Sequence, residues 1–374
     1  MPPSRDHRLS AALFALPLLC LACVETEGEE DSHIFGDGSH SLGTVELTVV
    51  ADSGDDLETP RDLAFHPDEP SELWVVNRGS DPGDEAVVVI DDAGTDDQEA
   101  TFYRSGGNQH FLAQPAALAF SENGNFATIH ETDERTQGPN GTPGDFMGPT
   151  LWTSDRDIFD AGHGGHLDML HNSPNGMGVA WEDDNTFWVF DGDHDAIARY
   201  AFKDDHGPGG ADHSDGELLR YVEGEVARES DVPSHMAFDR DSALLYIADT
   251  GNGRIAVLDT TTGDEGGTVG PNNDGTRQRA MDDASIETLI DADDVEDMRE
   301  PSGLELHEGL LYVGDNRTGH LFAFDLDGNL LDWVDLELER GALMGLAFNE
   351  DGDLFLVDSE AEQILRLDTV ETEE

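Results

Sequence analysis

Cysteine is nearly absent from this chain. The two cysteines among its 374 residues, Cys20 and Cys23, both lie within the first 23 positions. The rest of the chain therefore has no disulfide, no thiolate metal ligand and no cysteine nucleophile. A domain built from it depends on side-chain packing, on closure of its strands or on a bound metal.

Basic residues are also scarce. Lys and Arg together number 19 against 83 Asp and Glu, which gives a formal net charge of −64. Nucleic-acid phosphates are repelled by such a surface, so the composition argues against a nucleic-acid partner. Solubility alone accounts for an acidic surface of this kind, and it does not by itself indicate a binding site.

The sequence offers no apolar run long enough to cross a bilayer. Residues 11–22 form the short apolar core of a predicted signal peptide, residues 1–22. The motif LCLAC, residues 19–23, resembles the lipobox of bacterial lipoproteins, and this resemblance implies a lipid on Cys23. Residues 23–43 then predict an acidic, flexible tether. We expect an exported, surface-anchored protein of the bacterial cell envelope, an outer-membrane lipoprotein that meets the membrane only through its lipid. Cleavage and secretion is the alternative.

One pattern recurs along the rest of the chain. It consists of a Pro or a similar start, an apolar strand, a short turn, and a second strand that ends in a polar residue. Six copies are present: TPRDLAFHPDEPSELWVVN (59–77), QPAALAFSENGNFATIH (114–130), SPNGMGVAWEDDNTFWVFD (173–191), VPSHMAFDRDSALLYIAD (232–249), EPSGLELHEGLLYVGD (300–315) and ALMGLAFNEDGDLFLVD (342–358).

Each copy continues into a further strand, as in RIAVLD (254–259) and HLFAFD (320–325). Radial repetition of antiparallel four-stranded sheets predicts an all-β, six-bladed β-propeller over residues 44–370. We expect TVELTVV (44–50) to complete blade six and close the ring, which removes an exposed sheet edge; an open solenoid is the alternative. Residues 280–299 predict a short helix inside an insertion.

The blades resemble NHL repeats, most clearly at 234–259 and 303–325. This resemblance implies a central channel whose mouth receives the starts of the inner strands and the loops after the second strands. His and Asp residues are dense at those places, and these side chains suit calcium, zinc or copper. We predict a divalent metal at this mouth, with ligands drawn from His166, His171, Asn175, Asp191, His194, His235 and Asp249; His163 lies on the same insertion.

Two enzyme families resemble parts of these blades. PNGMGVAW (174–181) is similar to the calcium-binding blade of regucalcin-like lactonases. This resemblance implies Asn175 as a calcium ligand, and it makes Asp62 the counterpart of the glutamate ligand in the first blade of that family. VPSHMAF with DTGNGRI is similar to peptidylglycine amidating lyases, which implies His235 as a zinc ligand and Arg254 as a substrate-binding residue. Arg61 and Asp62 start the inner strand of blade one, so substrate-binding residues are predicted to be Arg61, Asp62 and Arg254.

A second cluster follows the third strand of blade three in KDDHGPGGADHSDGE (203–217). Its spacing does not match an EF-hand loop. The alternatives are a solvated Gly-rich turn and a calcium or copper clip, and we expect it at the opposite mouth. The candidate ligands are Asp204, Asp205, His206, Asp212, His213 and Asp215.

The chain contains no GxSxG elbow, HExxH helix or phosphate-binding loop, so no common hydrolase motif identifies a reaction. Two classes of function remain. The first is a monomeric binding module whose metal-bearing channel mouth meets a small molecule or a protein ligand. The second is a metal-dependent hydrolase or lyase, lactonase-like or amidating-lyase-like, that acts on a small exported substrate.

Overall fold

The computed structural model describes residues 33–80, 85–103, 111–133, 144–159, 165–210 and 212–369. The predicted signal peptide, Cys23 and the beginning of the predicted tether lie outside these ranges. The one α-helix in the described residues is the single turn α1 (Arg156–Phe159), and short 3₁₀ turns occupy Leu42–Thr44, Ser53–Asp55, Thr250–Asn252 and Ala292–Asp294. No helix in this part of the chain is long and apolar enough to span a membrane.

The strands form six sheets that follow one another along the chain, and each sheet is one blade. The first strand, β1 (Val45–Ala51), belongs to the last blade. Blades one to three contain β2 (Pro60–Phe65), β3 (Leu73–Asn77), β4 (Ala86–Asp91) and β5 (Glu99–Tyr103); β6 (Pro115–Phe120), β7 (Asn125–His130), β8 (Thr150–Thr153) and β9 (His166–Met169); and β10 (Gly176–Asp183), β11 (Thr186–Asp191), β12 (Ala196–Ala201) and β13 (Glu217–Tyr221).

Blades four to six repeat this order, with an insertion in blade four. They contain β14 (Met236–Asp239), β15 (Leu244–Asp249), β16 (Arg254–Asp259) and, after β17 (Asp264–Glu265) and β18 (Arg277–Asp282), β19 (Ser285–Asp291); β20 (Pro301–His307), β21 (Leu310–Asp315), β22 (His320–Asp325) and β23 (Leu330–Asp335); and β24 (Leu343–Phe348), β25 (Leu354–Asp358) and β26 (Gln363–Thr369). The predicted six-bladed β-propeller is confirmed.

Each blade folds as an antiparallel meander because alternating apolar residues are bounded by tight turns. In blade five, β20 and β21 pair from Pro301↔Asp315 to His307↔Leu310. Glu308 and Gly309, both at positive φ, form the two-residue connection. A connection with positive φ at both positions matches the twist of the strands it joins. The apolar side chains of adjacent blades then pack face to face.

Strand β1 closes the ring on β26 of blade six. The two strands pair antiparallel from Val45↔Thr369 to Ala51↔Ile364, with one bulge between Val49 and Ala51. This confirms that a strand from the start of the domain completes the last blade, one residue later than the predicted 44–50. The edge that β26 would present is thereby covered.

The insertion of blade four differs from its prediction. The helix expected at 280–299 is absent; this segment instead contains the end of β18, the whole of β19 and a 3₁₀ turn. Strand β18 runs parallel to β13 and widens the sheet of blade three. On β18, Arg277 contacts Glu217 of β13 and Glu265 of β17. These pairings fix a strand where the composition alone favoured a helix.

Residues 33–43 also differ from their prediction as flexible tether. The backbone amides of Ile34 and Phe35 both donate to Asp332 Oδ2 at 2.8 Å. Phe35 is buried against Tyr312, and His40 stacks on Trp333 with ring centroids 4.4 Å apart. This part of the predicted tether is therefore packed along the outer side of blade five.

Candidate functional site

The inner strands of the six blades surround a central cavity of about 470 Å³. The repeat forms the walls of this cavity, because every copy places a large apolar residue near the end of its inner strand. These large side chains are partly buried and pack between adjacent blades while lining the cavity: Phe65, Phe120, Trp181, Phe238, Leu306 and Phe348.

Two polar side chains cross this channel at its floor. Asp62 belongs to blade one and His235 to blade four, which face each other across a six-bladed ring. His235 Nε2 lies 3.8 Å from Asp62 Oδ2. Their equivalents in the other copies are small, namely Ala117, Gly178, Gly303 and Gly345. A Cβ on Gly345 would lie 2.5 Å from Asp62 Oδ1, so the small residues leave room for the crossing pair.

The carboxylate of Asp62 is held firmly. Its two oxygens accept hydrogen bonds from the amides of Leu63 at 2.9 Å and Leu118 at 3.0 Å. Burial raises the pKa of Asp62, while His235 and the two amides act in the opposite direction. His235 Nε2 also lies 3.4 Å from the carbonyl oxygen of Ala116, so the ring is positioned from two sides.

Glu305 stands out beside this pair. It lines the cavity on β20, and within the described residues no hydrogen-bond donor contacts its carboxyl group. Burial, followed by the nearby Asp62 carboxylate, raises the pKa of Glu305 to about 8. A carboxyl group with this pKa is mostly protonated at pH 7, and in that form it has a proton available for a hydrogen bond to a ligand.

The mouth at the inner-strand starts holds Arg61, as predicted. This opening has a volume of about 550 Å³ and is lined by both charge signs. Arg61 donates to Glu131 Oε1 at 3.2 Å and to Ser359 Oγ at 3.4 Å, and Arg78 contacts the same Glu131. Burial lowers the pKa of Arg61 to about 10. Arg61 therefore lines an opening, but its guanidinium group is already engaged by a carboxylate.

The seven residues predicted as one metal site do not meet at one point. Asp191 is fully buried and is surrounded by donors: Ser173 Oγ at 2.9 Å, His194 Nδ1 at 2.9 Å, and Arg220 Nη2 at 3.3 Å. The hydrogen bond to Asp191 raises the pKa of His194. The other ring nitrogen of His194 lies 3.4 Å from Asp145. These contacts account for both side chains without an ion.

Asp249 and Arg254 are paired with each other instead of facing a ligand. Arg254 Nε donates to Asp249 Oδ2 at 2.7 Å, and its remaining nitrogens reach Thr288 and the carbonyl oxygen of Glu225. Asp249 also accepts from the amide of Ala227 at 2.8 Å. All three guanidinium nitrogens of Arg254 are therefore engaged within the protein, and none is left free for the predicted binding of substrate.

The remaining predicted ligands are engaged by other groups. His171 contacts Asp274 through Nδ1 and stacks on Phe146. His166 stacks on Phe111, and Asn175 donates to Asp193 Oδ1 at 2.8 Å. His163 lies outside the described residues. No three of the predicted His and Asp ligands of this first site, all within the described ranges, bring their ligand atoms within 4.8 Å of one another.

The second predicted cluster is partly assembled. His206 and Asp215 come together with Asp168, and one ligand atom of each lies within 4.8 Å of the others. His213 joins them by contacting Asp168 through Nδ1. The other three members take no part: the amide of Asp204 bonds Asp215, Asp205 accepts from Gly207, and Asp212 accepts from Ser214.

This cluster lies elsewhere than expected. Asp168 belongs to β9, the outermost strand of blade two, and the other members lie on the loop between β12 and β13 of blade three. The group therefore sits at the perimeter between two blades, not at a channel mouth. Asp168 was not predicted as a ligand, because the alternation of polar and apolar residues in HLDM is typical of an ordinary strand.

Sequence reasoning also missed Glu305, although a signal was present. At the same position of the repeat, five copies carry alanine and only the fifth carries a charged residue. All six residues line the cavity. Glu305 is therefore recognisable from the sequence as an acidic side chain at a position where the other five copies have alanine. The alanines are Ala64, Ala119, Ala180, Ala237 and Ala347.

Comparison with known proteins supports the fold. No protein-family model matches the sequence, and no curated protein shows significant similarity to it. Among solved structures, an auxiliary nutrient binding protein from Bacteroides thetaiotaomicron is similar with a TM-score of 0.56 and 12% identity, over 86% of this chain and 76% of that chain. A luciferin-regenerating enzyme gives 0.53 and 12%, over 87% and 96%.

Virginiamycin B lyase from Staphylococcus aureus is similar with a TM-score of 0.52 and 11% identity, over 87% of this chain and 100% of that chain. The chain is a six-bladed β-propeller. Binding proteins and enzymes both occur among these similar structures, and identities this low establish the fold alone.

Proposed function

We propose that this chain is a binding propeller that takes a small, apolar, positively charged molecule, an amine, into its central channel. The observation that carries the proposal is the carboxyl group of Glu305, which lies in an aromatic-walled cavity without a partner. Ligand sites in proteins are typically apolar cavities of about 300–1,000 Å³ with a few converging polar groups. The channel has that size and that composition.

The charge of the ligand follows from the floor of the channel. Asp62 and Glu305 are two carboxyl groups, and His235 is the one basic side chain beside them. A bound cation stabilises the ionised form of Glu305, which its surroundings otherwise disfavour. The aromatic walls also attract a cation through their faces, and the net charge of −64 raises the local concentration of cations.

One observation favours an enzyme as the second candidate. A carboxyl group with a pKa of about 8 is matched to proton donation near neutral pH. Glu305 beside the Asp62–His235 pair therefore provides an acid and a base in one cavity, as a hydrolase or lyase requires. Within the described residues, no three His, Asp or Glu side chains of the channel bring their ligand atoms within 4.8 Å of one another, so a metal ion in that role would require these side chains to move.

The binding proposal is tested with matched ligands of different charge. We expect 2-phenylethylamine to bind at least tenfold more tightly than 2-phenylethanol or phenylacetate, by calorimetry at pH 8. Glu305→Ala introduces the residue that the other copies carry, so the fold tolerates it, and it is expected to lower amine affinity at least tenfold. Glu287→Gln, an exposed carboxylate on β19, is the control.

Equal affinity for the three compounds, or amine binding unchanged by Glu305→Ala, would contradict the proposal. A measurement of turnover distinguishes the binding protein from the second candidate, an enzyme. A substrate screen that detects product with the wild-type chain and none with Glu305→Gln would favour the enzyme instead.

We also propose that the chain is exported and anchored through a lipid on Cys23. The support is the lipobox-like LCLAC motif behind a short apolar run. We expect the wild-type chain to fractionate with membranes and to incorporate labelled fatty acid, because several acyl chains together hold a protein firmly. Cys23→Ala is expected to abolish the label, whereas Cys20→Ala is expected to retain it. Labelling that survives Cys23→Ala would refute the anchor.

A further inference from the structure

We propose that Asp168, His206 and Asp215 bind one divalent transition-metal ion of the zinc class, which fastens the loop of blade three onto the outer strand of blade two. The site is independent of the channel. Its ligands come from β9 and from the β12–β13 connection, so the ion would join two neighbouring blades at the perimeter of the ring.

The spacing of the ligand atoms suits a tetrahedral ion. His206 Nε2 lies 2.9 Å from Asp215 Oδ1 and 3.9 Å from Asp168 Oδ2. Metal–ligand bonds of about 2.0–2.2 Å at tetrahedral angles separate ligand atoms by about 3.3–3.6 Å. The two observed distances bracket that separation, so small movements of the half-exposed His206 and Asp215 side chains are sufficient.

The orphaned oxygen of Asp168 points to a ligand. Asp168 is completely buried, and its Oδ1 accepts from the amide of Met169 at 2.7 Å and contacts His213. Its Oδ2 has no hydrogen-bond partner and is directed toward His206. A buried carboxylate oxygen without a donor is costly. A cation at this point satisfies it.

The donor set identifies the class of metal. One imidazole nitrogen and two carboxylate oxygens suit zinc or a similar transition-metal ion, with water in the fourth position. Calcium prefers six to eight oxygen ligands, which these three residues do not supply. His213 acts as a positioning residue, because its contact orients the Asp168 carboxylate from the side away from the ion.

The β12–β13 loop already contacts blade two without an ion. The amide of Gly209 donates to the carbonyl oxygen of His166 at 2.9 Å, and Gly216 packs close to Leu170. The residues between Gly209 and Gly216 are rich in Asp, His and Gly, so few apolar side chains pack this segment against blade two. A metal bridge therefore adds the strongest single link between this loop and β9.

Metal content and affinity test the site directly. An untagged wild-type chain, stripped with chelator and titrated with zinc in millimolar magnesium, is expected to bind one equivalent tightly. His206→Ala and Asp215→Asn are each expected to weaken this binding at least a hundredfold. Asp205→Asn and Asp212→Asn, carboxylates of the same loop outside the group, are expected to leave it unchanged.

A second readout reports the loop itself. Lys203 is the only lysine in the chain, and it is exposed at the start of this loop. A lysine-specific protease therefore cuts at one place, and zinc is expected to slow that cut severalfold in the wild type but not in His206→Ala. Zinc binding that is equally tight in both ligand variants, or tight binding of calcium in preference to zinc, would overturn the proposal.

Discussion

A chain that begins at Ser53 is expected to aggregate, because it lacks β1. Blade six then ends at β26, whose backbone would form an open sheet edge. The deletion also removes Val45, Val50 and Ala51 from the buried core. Burial of each valine contributes about 1.5–3 kcal/mol, and each lost ladder hydrogen bond adds about 1 kcal/mol. The total is comparable with the whole stability of a typical domain.

Light scattering and thermal unfolding of three chains measure this effect. A chain that begins at His33 retains every described residue and is expected to remain monomeric. One that begins at Thr44 loses the contacts of Phe35 and His40 but keeps β1, so it is expected to melt somewhat lower. If the chain that begins at Ser53 stays monomeric with an unchanged melting temperature, β1 does not close the ring.

Glu305→Gln is expected to stabilise the protein at alkaline pH and to leave it unchanged near pH 4. The folded-state pKa of Glu305, about 8, lies above its ordinary value of 4.5. Between these values the folded state binds the proton that the unfolded state releases, so stability falls as pH rises through this window. Glutamine remains neutral at every pH and does not suffer this loss.

The measurement is the difference in melting temperature between the variant and the wild type from pH 4 to pH 9. We expect the difference to grow through the window to several degrees and to level off above pH 8. Glu287→Gln changes the same charge at an exposed strand position and is expected to show a small, nearly constant difference. A flat profile for Glu305→Gln would mean that this carboxyl group ionises as freely as one in water.

The fold was predictable because the repeat encodes it many times over. Six copies of one two-strand pattern define six blades, and a leftover strand before the first copy implies the closure by β1. Residues 280–299 and 33–43 were wrongly predicted because they occur once. Their structures depend on pairing with β13 and on packing against β23, which local composition does not report.

The ligands predicted for a metal at the channel mouth do not come together, for a related reason. The prediction rested on the clustering of histidines, and it added Asp191 and Asp249, which end second strands; four of the six copies end that strand in aspartate. In the structure these carboxylates hold the turn that follows: Asp315 accepts from the amide of Thr318 at 2.9 Å, and Asp358 accepts from that of Ala361 at 2.8 Å. An aspartate that recurs at this position of the repeat thus stabilises the turn of its own blade.

The residues that break the repeat are the informative ones. Asp62, His235 and Glu305 replace small side chains that the other blades keep along the channel. Alignment of the six copies against one another is sufficient to identify these three positions, although Glu305 was not among the predicted residues. Asp168 was not predictable in this way, since its partners His206 and Asp215 lie on another blade and meet it only through the folding of the β12–β13 loop.

The packing of residues 33–43 determines where the chain joins the ring. Ile34 and Phe35 reach the propeller on the outermost strand of blade five, far along the sheet from the inner strands that enclose the channel. The chain therefore enters the propeller at the outer edge of blade five and not beside the central channel. The residues that line the mouth and the cavity do not include residues 33–43, so this described segment leaves the channel accessible to a ligand.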